Sequence, residues 1–242
     1  MDGAERFLDS QKVELIAVSK TKPVADILAL YELGQRDFGE NYVQELRDKQ
    51  SQLPQDIRWH FIGHLQSNKV KFILPFVYMI HGVDSYKLLK EINKQAAKLQ
   101  RQINCLLQVH IAQEETKFGF SRAELDEAIV NLTGEQLPFV HIRGLMGMAS
   151  LTNDEAVIRK ELSGLKNIFD EYKARYFTQF DNLSMGMSSD YKIAVEEGSS
   201  MVRIGSLLLD QEFNMMAIKN PFETKGFLLP ETRGKLSKTY QS

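Results

Sequence analysis

Short apolar runs alternate along this chain with stretches whose apolar residues recur every three or four positions. Val13 to Val18 has the length and β-branched content of a buried strand. Val24, Ile27, Leu28 and Tyr31 then repeat at helical spacing, with Pro23 at the first helical position and Gly34 past the last turn. Arg36 to Tyr42 is short and by itself reads as a loop, but it holds the place of a second strand. Val43 to Gln52 reads as a polar helix ended by Pro54, Trp59 to Gly63 as a third strand, and Asn68 to Leu74 as a short helix closed by Pro75. Phe76 to Val83 is a fourth strand. Ser85 can cap the helix carrying Leu88, Leu89, Ile92 and Leu99. Ile103 to Ile111 is a fifth strand, followed by a capping box at Ser121–Glu124 and a helix carrying Leu125, Ala128, Ile129 and Leu132. Phe139 to Leu145 is a sixth strand. A second capping box, Thr152–Glu155, opens a long helix to about Tyr176. Leu183 to Met187 is a seventh strand, Asp190 to Glu197 a brief helix stopped by Gly198, and Ser200 to Gly205 an eighth strand.

Eight strand-like segments separated by helical ones predict βαβ units, a parallel sheet and a closed α/β barrel of the (β/α)8 kind. A length of 242 residues suits one such domain, with the barrel over about 12–210 and an irregular tail over 211–242. Hydrophobic residues make up 43% and charged residues 26%, which is ordinary for a globular protein with a sizeable core. The net charge of -2 exerts no general pull on nucleic acid or an anionic membrane, so neither is expected as a partner. No apolar stretch of about 18 residues or more suggests a membrane span. The single cysteine, Cys105, lies in an apolar run and reads as a buried, inert thiol. With no signal-peptide pattern at the start, the expected setting is reducing and cytoplasmic, and the expected state a monomer.

In a barrel of this kind, function collects where the strands end. Lys20 follows the first strand, Asn41 the second, His64 the third; Lys117 lies in the loop after the fifth. Met187 and Ser188 close the seventh, with Ser184 deeper in it, and Arg203, Gly205 and Ser206 close the eighth. The last two loops are the usual phosphate site of the fold: a Ser188 hydroxyl, backbone amides at Gly205 and Ser206, and a permanent cation at Arg203. A strand-end lysine is ordinarily just solvated. Across from a phosphate cup, Lys20 points instead to a phosphorylated carbonyl compound held as a Schiff base, with Lys22, Lys117 and Arg203 favouring its neutral amine. His60 and His64 straddle Gly63 at a strand end and do not form a helical metal-binding face, so no metal is expected. His81, His110 and His141 read as satisfied core or rim histidines, and Met146, Met148, Met185 and Met187 as barrel packing.

The motifs VSKTKP at 18–23, FGENYVQE at 38–45 and WHFIGHLQSNK at 59–69 resemble those of the pyridoxal phosphate homeostasis proteins. So do TKFG at 116–119, GLMGM at 144–148, LSMGMS at 183–188 and VRIG at 202–205. The resemblance implies a barrel like the N-terminal domain of alanine racemase, with pyridoxal 5'-phosphate (PLP) on Lys20. It also implies phosphate contacts from Ser188, Gly205 and Ser206, and Arg203 facing either the pyridine nitrogen or the phosphate. The family usually has a longer helical lead than residues 1–11 provide and stops soon after the eighth strand, so the tail carries no role from it.

Two function classes then compete. A carrier in vitamin B6 homeostasis holds the cofactor and hands it to apo PLP-dependent enzymes, with Lys22 or Lys117 as a relay amine. A racemase needs two bases on opposite faces of its substrate; Lys20 is one, and the tail from Gln211, despite Tyr240, is too short for the domain that brings the second in alanine racemase. Arginine at a pyridine nitrogen keeps the ring a weak electron sink, which disfavours transamination. An aldolase using Lys20 fits the bare chemistry but not the motifs. The carrier without turnover is the reading favoured by the residues.

Overall fold

The computed structural model describes residues 13–114, 118–176 and 179–209. Eight parallel strands close on themselves in chain order: β1 (Glu14–Val18), β2 (Asp37–Glu40), β3 (Arg58–Phe61), β4 (Val77–Val83), β5 (Ile103–Val109), β6 (Val140–Gly147), β7 (Asn182–Met187) and β8 (Met201–Ile204). Closure is made by β1 against β8, from Glu14 opposite Met201 to Ala17 opposite Ile204. The helices between them are α1 (Val24–Glu32), α2 (Val43–Gln50), α3 (Val70–Ile73, entered through a 3-10 turn at Ser67–Lys69), α4 (Tyr86–Lys98), α5 (Arg122–Gly134), α6 (Glu155–Arg175), α7 (Tyr191–Glu196) and α8 (Ser206–Leu209). The predicted (β/α)8 barrel is therefore the observed fold, while the tail from 211 onward lies outside the described residues. Among the described residues, no helix is long and apolar enough to cross a membrane.

Local chemistry sets the helix starts. Ser85 caps α4 by accepting from Leu88 N, and Ser121 and Glu124 form the reciprocal capping box of α5. The long helix starts differently from expectation. Asp154, not Thr152, is its N-cap, accepting from the amides of Ala156 and Val157, while Thr152 Oγ1 accepts from Asp154 N. A carboxylate one residue before the first turn can face the helix dipole directly, which Thr152 is too far back to do. Leu99 likewise ends α4 as its C-cap and is exposed rather than buried.

The core has two layers. Most of it lies between sheet and helices; α4, for example, buries Leu88, Leu89, Ile92 and Ala96, and its Leu and Ile side chains each contribute about 2 kcal/mol on burial. A smaller cluster of Met79, Leu106, Met146 and Met201, with Met148 against it, forms separately; Met146 thus packs as expected, whereas Met185 joins the outer layer. Glu14 and Asp37, the first residues of β1 and β2, and His60 within β3 bring ligand atoms within 4.8 Å of one another. This is not an open cation site, because Arg58 already reaches Asp37 through Nε at 2.6 Å and Glu14 at 3.7 Å.

Burial, and then the Asp37 charge, pushes the Glu14 carboxyl up to about 7 from the usual 4.5. A raised folded-state pKa adds stability below 4.5 that is lost as pH rises through 7. Glu14→Gln should therefore be stabilised relative to wild type at pH ~8 and lose that advantage by pH ~4.5. Denaturant midpoints at the two pH values check this; an equal difference at both would show that Glu14 titrates normally.

Candidate functional site

Lys20 is exposed on the turn after β1, and this turn is held from beneath by buried charge. Ser19 Oγ donates to Glu40 Oε1 at 2.7 Å. Lys49, on α2, donates to Ser19 O at 2.6 Å, to Glu40 at 2.7 Å and to Glu45 at 2.6 Å. Glu45 also accepts from Thr21 N at 2.5 Å, which keeps Thr21 in the left-handed region at φ 62. A β-branched residue there costs on the order of 1 kcal/mol, so the turn beside Lys20 is imposed by its neighbours. Burial raises the Glu40 carboxyl above its ordinary range, offset by the bonds from Lys49 and Ser19.

The rim of β8 sits next to that turn, with the rim of β7 beyond it. Asp190, which is buried, accepts from Met187 N at 2.6 Å and closes the turn that carries Ser188 at its crown. The Gly205 amide donates toward Ser188 Oγ at 3.4 Å. A Cβ on Gly205 would lie 3.2 Å from both Val18 Cβ and Val18 O, so the glycine lets the end of β8 lie close against the end of β1. Lys20, Ser188, Gly205 and the exposed Ser206 thus border one side of the barrel mouth, with Met187 half-buried below.

Arg203 lies one pleat deeper, opposite Ile16 on one side and Met187 on the other. It is buried, with Nη1 donating to Ser184 Oγ at 2.6 Å and Nη2 to Gly147 O at 3.0 Å. Burial pushes the guanidinium down to about 10, opposed by the Asp190 charge, which still leaves it a cation at neutral pH. Among the described residues it has no carboxylate in an ion pair. Burying such a charge costs several kcal/mol unless something compensates it. Ser184, fully buried, spends its oxygen on Arg203 and on His81 Nδ1 at 2.9 Å, so it serves the arginine rather than the rim.

The other expected residues spread further round the mouth. Asn41 follows β2, and its carbonyl would be 2.4 Å from a Cβ on Gly63, which explains the glycine after β3. His64 is exposed, bonded through Nδ1 to Asp84 at 2.8 Å and stacked on Phe118 with ring centres 3.9 Å apart, on the β4–β5 side. Lys22 is half-buried and closes the Lys20 turn through its amide, which donates to Ser19 O at 3.1 Å. Lys117 lies outside the described residues. The sequence reading missed Ser19, Glu40 and Lys49 altogether, although Glu45 and Lys49 are spaced as a helical ion pair. His110 and His141 are rim histidines as expected, bonded to Glu114 O and Gln179 Oε1.

The model of the alanine racemase N-terminal domain family matches residues 3–210. The pyridoxal phosphate homeostasis protein of Pasteurella multocida is 38% identical over 202 residues, spanning 81% of this chain and 85% of that protein. This chain belongs to the pyridoxal phosphate homeostasis protein family. The member from Escherichia coli is 37% identical over 203 residues, covering 82% and 85%. A solved family member, PipY of Synechococcus elongatus with PLP bound, is 36% identical with a TM-score of 0.76, covering 85% of this chain and 99% of that one. Alanine racemase of Clostridium difficile, at 16% identity and TM-score 0.66, shares the barrel fold.

Lys49 is the shared cation of the turn, with its side chain only 7% exposed. Lys49→Met leaves Glu40 buried without a counter-charge, and should destabilise the fold by about 3 kcal/mol or more in denaturant unfolding. Adding Glu40→Gln should recover part of the loss. A single variant as stable as wild type would mean the network carries no net stability.

Proposed function

We propose that this chain binds PLP through Lys20 and holds it as an intracellular carrier in vitamin B6 homeostasis, without turnover of its own on free amino acids. The observation that carries the reading is Arg203. A buried cation without an ion-paired carboxylate among the described residues is suited to an anionic or hydrogen-bond-accepting ligand, and it lies one pleat below the Ser188–Gly205 rim, beside the end of β1 that leads into Lys20. Membership of a family whose relatives are named for PLP homeostasis, and the PLP-bound PipY, support it further.

The donor set fits the cofactor. Ser188, the Gly205 amide and Ser206 would hold the phosphate at the rim. Arg203, a pleat deeper, would face the pyridine nitrogen. Lys20 would hold the carbonyl end, with Asn41 and Met187 lining the ring, and Lys22 and His64 bordering the approach. When bound, the cofactor supplies an amine-reactive aldehyde and an aromatic ring that withdraws electrons. An Arg203 N–H not spent on Ser184 or Gly147 would donate there and leave an accepting nitrogen unprotonated, which would limit that withdrawal. Among the described residues, Lys20 is the lysine at the phosphate rim, and holding the cofactor uses its amine as a base. An open mouth suits loading and release to apo PLP-dependent enzymes.

Borohydride treatment of the PLP-loaded protein should fix a pyridoxyl group on Lys20, located by peptide mass. A label confined to Lys22 or Lys117 would overturn the assignment. Incubated with L-alanine in deuterated water, the loaded protein should release neither Cα-deuterated nor D-alanine beyond one equivalent. Many turnovers per chain would replace the carrier with the racemase.

A further inference from the structure

Below Arg203, a line of buried polar side chains crosses the barrel from β8 to the start of β2. Arg203 Nη1 meets Ser184 Oγ at 2.6 Å, Ser184 Oγ meets His81 Nδ1 at 2.9 Å, His81 Nε2 meets His60 Nδ1 at 2.9 Å, and His60 Nε2 meets Asp37 Oδ1 at 3.0 Å. His60, His81 and Ser184 are fully buried, Arg203 and Asp37 nearly so. We propose that Ser184, His81, His60 and Asp37 are positioning residues for Arg203: their hydrogen bonds run in one fixed direction and hold its guanidinium aimed at the cofactor site. The proposal rests on the PLP reading above.

The direction follows from the two ends. A guanidinium can only donate, so Ser184 Oγ accepts from Arg203 and its one proton is left for His81. Asp37 at the other end accepts. Although burial works against its charge, the bonds from His60 and Arg58 hold its carboxyl below the ordinary range. If the line ran the other way, the bare His60 Nε2 would face the Asp37 carboxylate, acceptor against acceptor. Both histidines are fully buried, and burial disfavours the imidazolium in each. One pattern therefore satisfies every group: His60 and His81 neutral, each with its proton on Nε2. Each link of the line then pairs a donor with an acceptor, and the rotamer of Arg203 is tied to a charge on the far side of the barrel. An apolar residue at 184 would leave Arg203 Nη1 and His81 Nδ1 without a partner, in a site where an unmet buried group is expensive.

The histidine nitrogens report on this directly. Of the five histidines in the chain, His60 and His81 should show the Nε2-protonated neutral tautomer in 15N spectra of the histidine-labelled, unloaded protein at pH ~7. Adding PLP should shift the His81 nitrogens in wild type. In Ser184→Ala, that response should vanish and the PLP dissociation constant should rise about tenfold, read by absorbance titration. Thermal unfolding checks that the variant is folded. A proton on His81 Nδ1, or an imidazolium at either residue, overturns the proposal, and this needs no variant. So does a folded Ser184→Ala that binds PLP as tightly as wild type while wild type binds normally. Failure of wild type to bind PLP at all would count against the cofactor reading, and this proposal would fall with it.

Discussion

A charge is buried in this barrel without a countercharge in contact. Arg203 donates to a hydroxyl and a carbonyl, both neutral, and among the described residues no carboxylate pairs with it. Desolvating a cation costs several kcal/mol, and its two hydrogen bonds to neutral acceptors return only part of that, about 1.5–3 kcal/mol each. The remainder is stability that a ligand can restore on arrival. The surroundings preserve that tension. Ser184 and Gly147 keep the donors occupied and the side chain still, and closure of β1 on β8 leaves no edge through which water could reach it from the side.

The second charged system sits one strand away, outside the barrel wall, and has the opposite character. Lys49 is matched by two carboxylates, Glu40 and Glu45, and what it stabilises is backbone: the Ser19 carbonyl and, through Glu45, the left-handed Thr21. One system keeps an unmet charge ready; the other keeps a turn in place. Both draw on β2, whose Asp37 anchors the line beneath Arg203 and whose Glu40 anchors the Lys20 turn.

That dual use explains what the sequence concealed. The strands rich in apolar residues, such as Ile103–Val109, were plain from their pattern, and their alternation with helices was enough for a closed barrel. The four residues of β2 are all buried, yet half of them are acidic, so the segment reads as a loop until its partners are known. The placement of Lys20, Ser188, Arg203 and Gly205 at the ends of their strands was legible from the alternation of strands and helices. The roles of His60, His81 and Ser184 were not, because a hydrogen-bonded line joins β3, β4, β7 and β8 across the interior, and Ser184 lies 103 positions from the histidine it touches. The Thr152 capping box failed for a more local reason: Asp154 competes for the same helix end and wins by position.

Cys105 takes on a different meaning under the proposal that the mouth holds an aldehyde. An exposed thiolate near the mouth would compete with Lys20 for that carbonyl by adding to it as a hemithioacetal. The chain has one cysteine, in β5, fully buried, with its thiol held protonated by burial. The barrel wall that makes it inert would leave amines as the strong nucleophiles such a ligand meets among the described residues.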